Sequence, residues 1–140
     1  MKTLNKPKPK VYKLIDGCPT EQSRLRSNPD LVNNLFHTKE GDSFELSPSI
    51  TLFPIETPGH LSDHLCFLMK ERQGKTKNFR YSIFTGDHII GAKSTFFMDY
   101  PAYFESLLKT KDVIEKFKVK TLYGAHSVSL YPKDVALDAK

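Results

Sequence analysis

Short apolar runs divided by turn-forming residues set the rhythm of this chain, and the rhythm is that of strands. Ile50-Thr51-Leu52-Phe53-Pro54-Ile55, Leu65-Cys66-Phe67-Leu68-Met69 and Tyr81-Ser82-Ile83-Phe84-Thr85 have strand length and are flanked by Gly, Pro, Ser or charged residues. The second run is apolar throughout, as a strand buried on both faces would be. A turn at Lys39-Glu40-Gly41-Asp42 leads to Phe44 and Leu46, which alternate, and Val119-Lys120-Thr121-Leu122-Tyr123 is the last strand. Val11 to Ile15 is a short first strand after Pro7 and Pro9. From Asp16 to Asn34 the sequence reads as a surface excursion, with a short helix from Asp30 to Phe36.

The pattern changes period once. Asp99 supplies an N-cap and Pro101 a first-turn proline; Phe104, Leu107, Leu108, Ile114 and Phe117 then define one apolar helical face turned to the core. A break is expected between Lys109 and Asp112. The class is therefore α/β, a mixed sheet with flanking helices. Its domain spans residues 11–132, after a flexible lead over residues 1–10 and before a polar tail over 133–140.

Composition fits one domain: 39% of the 140 residues are apolar and 11% aromatic, enough for a core. A net charge of +5 and a pI near 9.1 are compatible with an anionic partner and equally with ordinary solubility. Cys18 and Cys66 either pair or stay free, and Cys66, inside an apolar run, reads as a small core residue in a reducing compartment. No apolar run reaches the ~20 residues that cross a bilayer, so no membrane span is expected. Met1 to Lys10 lacks the pattern of a signal or transit peptide, and the expected location is cytoplasmic.

Chemistry sits at the strand ends. Thr57-Pro58-Gly59-His60-Leu61-Ser62-Asp63-His64 follows the strand ending at Ile55, Gly86-Asp87-His88 follows Thr85, and Gly124-Ala125-His126 follows Tyr123. His60, Asp87 and His126 each lie beside or near a glycine turn, and imidazole nitrogen and carboxylate oxygen are donors that zinc accepts. Loops on one edge of a sheet converge even when dozens of residues separate them.

These three motifs, in this order, resemble the later motifs of the metallo-β-lactamase superfamily, with the closest likeness to the beta-lactamase-like protein 2 group of metal-dependent endoribonucleases. The likeness runs from about Val11 to about Tyr131. It implies zinc ligation by His60, Asp87 and His126, with Asp87 shared between two metals. His64, with Asp63, would stand hydrogen-bonded behind the ligands. The family's first motif, H-x-H-x-D-H, is absent from the chain: His37 stands alone before Lys39 and Glu40. Leu61, His88 and Tyr123 occupy positions where the family carries threonine, a small residue and proline. His88 is a substitute ligand or, by strand alternation, a side chain turned to the opposite face.

The resemblance also implies the architecture, an αββα sandwich of which this chain matches mostly the second half. One sheet face, with Leu52, Leu65, Phe67 and Phe84, would then lack a cover, and a homodimer or a complementing chain is the expected partner. Two functions follow. One is a metal-dependent hydrolase, endoribonuclease-like, acting on single-stranded RNA or another anionic substrate, with the isolated chain inactive. The other is a non-catalytic binding protein derived from the same fold. Group membership adds a mitochondrial alternative for location.

Overall fold

The computed structural model describes residues 10–13, 35–91 and 94–126. The chain divides into two compact units, Met1–Thr38 and Lys39–Lys140. In the first, β1 (Val11–Lys13) and β2 (Leu35–His37) pair in parallel with Val11 opposite Leu35. The helix expected up to Phe36 is replaced at its described end by β2. Three residues are too few to show an alternation, so only the pairing partner defines that strand. The expected lead over residues 1–10, apart from Lys10, the surface excursion over 16–34 and the tail over 133–140 lie outside the described residues.

The second unit is a five-stranded sheet in the order β3-β4-β5-β6-β7. Its strands are β3 (Phe44–Ser47), β4 (Ile50–Glu56), β5 (Leu65–Arg72), β6 (Phe79–Gly86) and β7 (Thr121–Gly124). The first four are antiparallel neighbours, and β7 returns parallel to β6. The parallel return requires a crossover, and α1 (Tyr100–Phe117) supplies it. Since β4, β6 and β7 run the same way, their C-terminal ends share one edge of the sheet.

Register decides which side chains meet. Phe53, Leu68, Ile83 and Leu122 are cross-strand partners in one row, with Ile55 opposite Cys66. Leu68, Ile83, Leu122, Ile55 and Cys66 are buried together with Val119, and Val113, Ile114 and Phe117 of α1 pack on them. The other face carries the row Pro54, Phe67, Phe84 and Tyr123, with Leu52 opposite Met69. There Leu52, Leu65, Phe67 and Met69 are half-buried, and Phe84 is 40% exposed.

Two expectations are corrected in this unit. Leu46 does not alternate inward: the β3–β4 register shifts between Glu45 and Ser47, and Leu46 is exposed at that irregularity. Helix α1 runs unbroken through Lys109–Asp112, and the apolar stripe holds in its second half, where Ile114 and Phe117 pack on the core, but not in its first. Ser106 and Thr110 are buried, whereas Phe104 and Leu108 are exposed. The reason is hydrogen bonding. Ser106 Oγ donates to the Pro58 carbonyl at 2.7 Å and Thr110 Oγ1 to the Ser106 carbonyl at 2.8 Å, so these small polar groups are satisfied at the sheet side. The helix begins as read, with the Asp99 carboxylate accepting from Ala102 N at 3.1 Å, and ends on Lys118 in the left-handed region at φ 50°.

Candidate metal centre

The turn after β4 is built by its glycine. Gly59 has φ +129°, and a Cβ there would fall 2.3 Å from Tyr103 Cα, so only a hydrogen lets the turn lie against α1. The Gly59 carbonyl accepts from Met98 N at 2.8 Å and Asp99 N at 3.1 Å, and the Thr57 amide donates to the His64 carbonyl at 3.0 Å. These bonds tie the octamer Thr57–His64 to the start of α1.

His60 is oriented from behind. Its Nδ1 lies 2.5 Å from the Phe96 carbonyl oxygen, which can only accept, so Nδ1 carries the hydrogen and Nε2 carries the lone pair of the neutral ring. That Nε2 lies 3.6 Å from Asp87 Oδ2. Asp87, at the turn after β6, is anchored by its backbone: Thr95 Oγ1 donates to its carbonyl. Beside it, Ala125 N donates to the Gly86 carbonyl at 3.0 Å, which brings the residue after Ala125 to the same corner. His126 Nε2 stands 3.0 Å from Asp87 Oδ1. The short separation is not a hydrogen bond in direction, because Oδ1 is buried without a hydrogen-bond partner. His60, Asp87 and His126, named from three separate strand ends, are thus brought together at one sheet edge.

Two further histidines lie deeper. His64 Nδ1 is 2.8 Å from Thr57 Oγ1, which also donates to Cys66 Sγ at 3.3 Å. Burial, and then the neighbouring His60, lower the His64 pKa. Asp63 is buried beside it in sequence. His88 turns inward, fully buried, with its ring edge-on to Tyr103 at 5.1 Å and 5.9 Å from the His64 ring. Neither of its ring nitrogens has a hydrogen-bond partner, and burial pushes its pKa down to about 4. The Tyr103 hydroxyl donates to the His88 carbonyl at 2.9 Å, so α1 grips both the His60 turn, through Ser106, and the Asp87 turn, through Tyr103.

Phe96, Tyr103 and Ser106 were not legible as site residues. Phe96 acts through a carbonyl, invisible to any side-chain pattern. Tyr103 and Ser106 lie three residues apart and so share one face of α1, but polar residues are common along this helix and the spacing does not single them out.

The donor set of two imidazole nitrogens and a carboxylate is of the kind that zinc takes, and the unsatisfied Asp87 Oδ1 faces it. Among the described residues no group of three or more His, Cys, Asp or Glu closes around a single point. The fit is therefore in donor type and proximity, with Asp87 as the hub.

The fold has a known counterpart. An archaeal metallo-β-lactamase superfamily protein from Sulfolobus tokodaii superposes with a TM-score of 0.58 at 20% identity, covering 89% of this chain and 54% of that one. The chain carries part of the metallo-β-lactamase fold. Lactamase-like protein adaB of Aspergillus niger is 33% identical over 104 residues, 74% of this chain and 29% of that protein. The atrochrysone carboxyl ACP thioesterase dmxR1 of Cryptosporiopsis sp. is 33% identical over 76 residues, 48% of this chain and 21% of that protein. This metallo-β-lactamase-like chain thus spans less than a third of the length of the curated relatives it matches. No family model matches it. No helix among the described residues is long and apolar enough to cross a membrane.

Proposed function

We propose that the chain forms the His60–Asp87–His126 side of a zinc site in a metal-dependent hydrolase of the metallo-β-lactamase fold. One observation carries the reading. The Phe96 carbonyl holds the hydrogen of His60 on Nδ1, so the Nε2 lone pair faces the Asp87 carboxylate at 3.6 Å. Two electron-rich atoms turned toward each other call for a cation, a proton or a metal ion, and the buried, unsatisfied Oδ1 of the same carboxylate adds a second donor aimed at His126. His60, Asp87 and His126 would hold the ion, and His64, with Asp63, would stiffen the turn behind them.

Zinc bound there would supply a Lewis acid for a carbonyl or phosphoryl oxygen and lower the pKa of water. The chain's own residues perform the rest. The Phe96 carbonyl fixes the ring of His60, α1 clamps the turns that carry His60 and Asp87, and the Ala125 amide sets the distance of His126. A catalytic zinc keeps three protein ligands and an open position, and His60, Asp87 and His126 would supply that number. The neighbouring relatives named as a lactamase-like protein and a thioesterase support acyl hydrolysis. An endoribonuclease-like cleavage of single-stranded RNA is the alternative substrate reading, resting on motif likeness and on the net charge of +5. The chain alone is expected to be inactive, because it lacks the H-x-H-x-D-H motif and so an acid to orient the attacking water.

The test is competition for zinc against a chromophoric chelator. One zinc per chain, weakened at least about tenfold in each of His60→Ala, Asp87→Ala and His126→Ala, is expected. No zinc uptake by the unmutated chain would overturn the proposal and leave a non-catalytic binding protein.

A further inference from the structure

We propose that the exposed aromatic apron beside His60, formed by Phe96, Met98, Tyr100 and Phe104, binds an apolar acyl or aryl part of the substrate and is not a nucleic-acid surface. The proposal rests on the hydrolase reading above and adds the substrate class to it.

Phe96 and Met98 are each 72% exposed, Tyr100 58% and Phe104 48%. So large a set of exposed apolar side chains on one stretch of a soluble chain marks a site of binding. The apron is continuous with the candidate metal centre. Phe96 accepts from His60 Nδ1 through its carbonyl, and Met98 N donates to Gly59 O at 2.8 Å. Two of its members join a chain of rings: Tyr100 stacks on Phe104 at 6.3 Å, and Phe97 lies 5.4 Å from both Tyr100 and Tyr103. A group seated there would have its neighbouring carbonyl within reach of the His60 corner.

Charge selects between apolar and nucleic-acid occupants. Surfaces for single strands pair stacking rings with a cationic groove along the phosphates. The segments Thr57–His64, Thr85–Gly91 and Ser94–Leu108 contain no lysine or arginine, although the chain has 21. Their acidic side chains are Asp63, Asp87, Asp99 and Glu105, and outside the proposed metal ligand Asp87 these disfavour phosphate; Lys93, between the second and third segments, lies outside the described residues. Rings with no lysine or arginine among the described residues of these segments suit a neutral, flat or aliphatic group, as in most small-molecule sites.

The experiment titrates the isotope-labelled full chain, in EDTA, with 2-naphthamide in one arm and a short oligouridylate in the other, following backbone amides by NMR. Naphthamide is expected to shift the amides of Phe96, Met98, Tyr100 and Phe104, and Phe96→Ser or Phe104→Ser to weaken it about tenfold while the thermal midpoint stays put. Three results would overturn the proposal: oligouridylate moving these amides and naphthamide not; neither moving them; or the same amides shifting with protein concentration, which would make the apron a contact between copies. Zinc is then added to the same sample. A response of the His60 and His126 rings reports on the metal site independently, so each idea can fail alone.

Discussion

Replacing Gly59 with alanine asks whether the turn that presents His60 is held by contact with α1. The native φ of +129° is open almost only to glycine, and the added methyl would lie 2.3 Å from Tyr103 Cα and 2.4 Å from its nitrogen. Those are backbone atoms of a helix already bonded to both site turns, so they cannot step aside as a side-chain tip would. Backbone strain of ~1–3 kcal/mol and overpacking of ~1–3 kcal/mol together give a loss of ~2–6 kcal/mol, a large part of a small domain's stability of ~5–15 kcal/mol. Gly74→Ala is the control. Its φ is +59° and nothing lies within 4 Å of its Cβ position, so only the left-handed backbone cost of ~1–2 kcal/mol applies. Urea denaturation of both variants separates strain from contact. Gly59→Ala should fall below Gly74→Ala by at least ~1 kcal/mol, and its residual folded fraction should bind zinc more weakly, because the Gly59–Met98 bond that aligns Phe96 is disturbed. Equal losses in the two variants would refute the argument that α1 holds the turn.

Three further outcomes follow from particular side chains. His88 is buried with a pKa near 4 against 6.5 when unfolded, so the unfolded chain takes up the proton first: the contribution is whole above pH 6.5 and is lost as pH falls toward 4. The 2.5-unit difference corresponds to roughly 3 kcal/mol at 1.36 kcal/mol per unit. His88→Leu should flatten that part of the stability-versus-pH curve relative to the unmutated chain, and parallel curves would count against it. Burial raises the Cys66 thiol to about 12, so in a Cys18→Ser background Cys66 should ignore a disulfide reagent at pH 8 until denaturant is added; rapid native labelling would contradict its placement. We propose that the sheet face bearing Leu52, Phe67 and the 40% exposed Phe84 is covered by a second copy or a complementing chain, so sedimentation should show self-association that Phe84→Lys reverses. A concentration-independent monomer would remove that proposal.

The sheet was readable because its strands repeat one physical device, an apolar run closed by turn residues, and β4, β5 and β6 each carry a clear run. The convergence of His60, Asp87 and His126 was readable only as a consequence of topology: β4, β6 and β7 run in the same direction, so residues at their C-terminal ends share an edge. What failed was the first half of α1. Ile114 and Phe117 face the core as their spacing predicts, but where Tyr103 and Ser106 hydrogen-bond to the site turns, Phe104 and Leu108 are left outside. Leu46 went astray because a register shift leaves no mark in composition. The orientation of His60 was out of reach for another reason, since it depends on a backbone carbonyl 36 residues away.

The proposed site depends on the Phe96 carbonyl holding the His60 hydrogen on Nδ1, which leaves Nε2 to a cation shared with Asp87. Long-range proton–nitrogen NMR of the histidine rings tests it directly. The expected result is a protonated Nδ1 on His60 with and without zinc, and a zinc-dependent shift of Nε2 that disappears in Asp87→Ala. A His60 ring protonated on Nε2 in the metal-free chain, or zinc addition that leaves Nε2 unmoved, would contradict it.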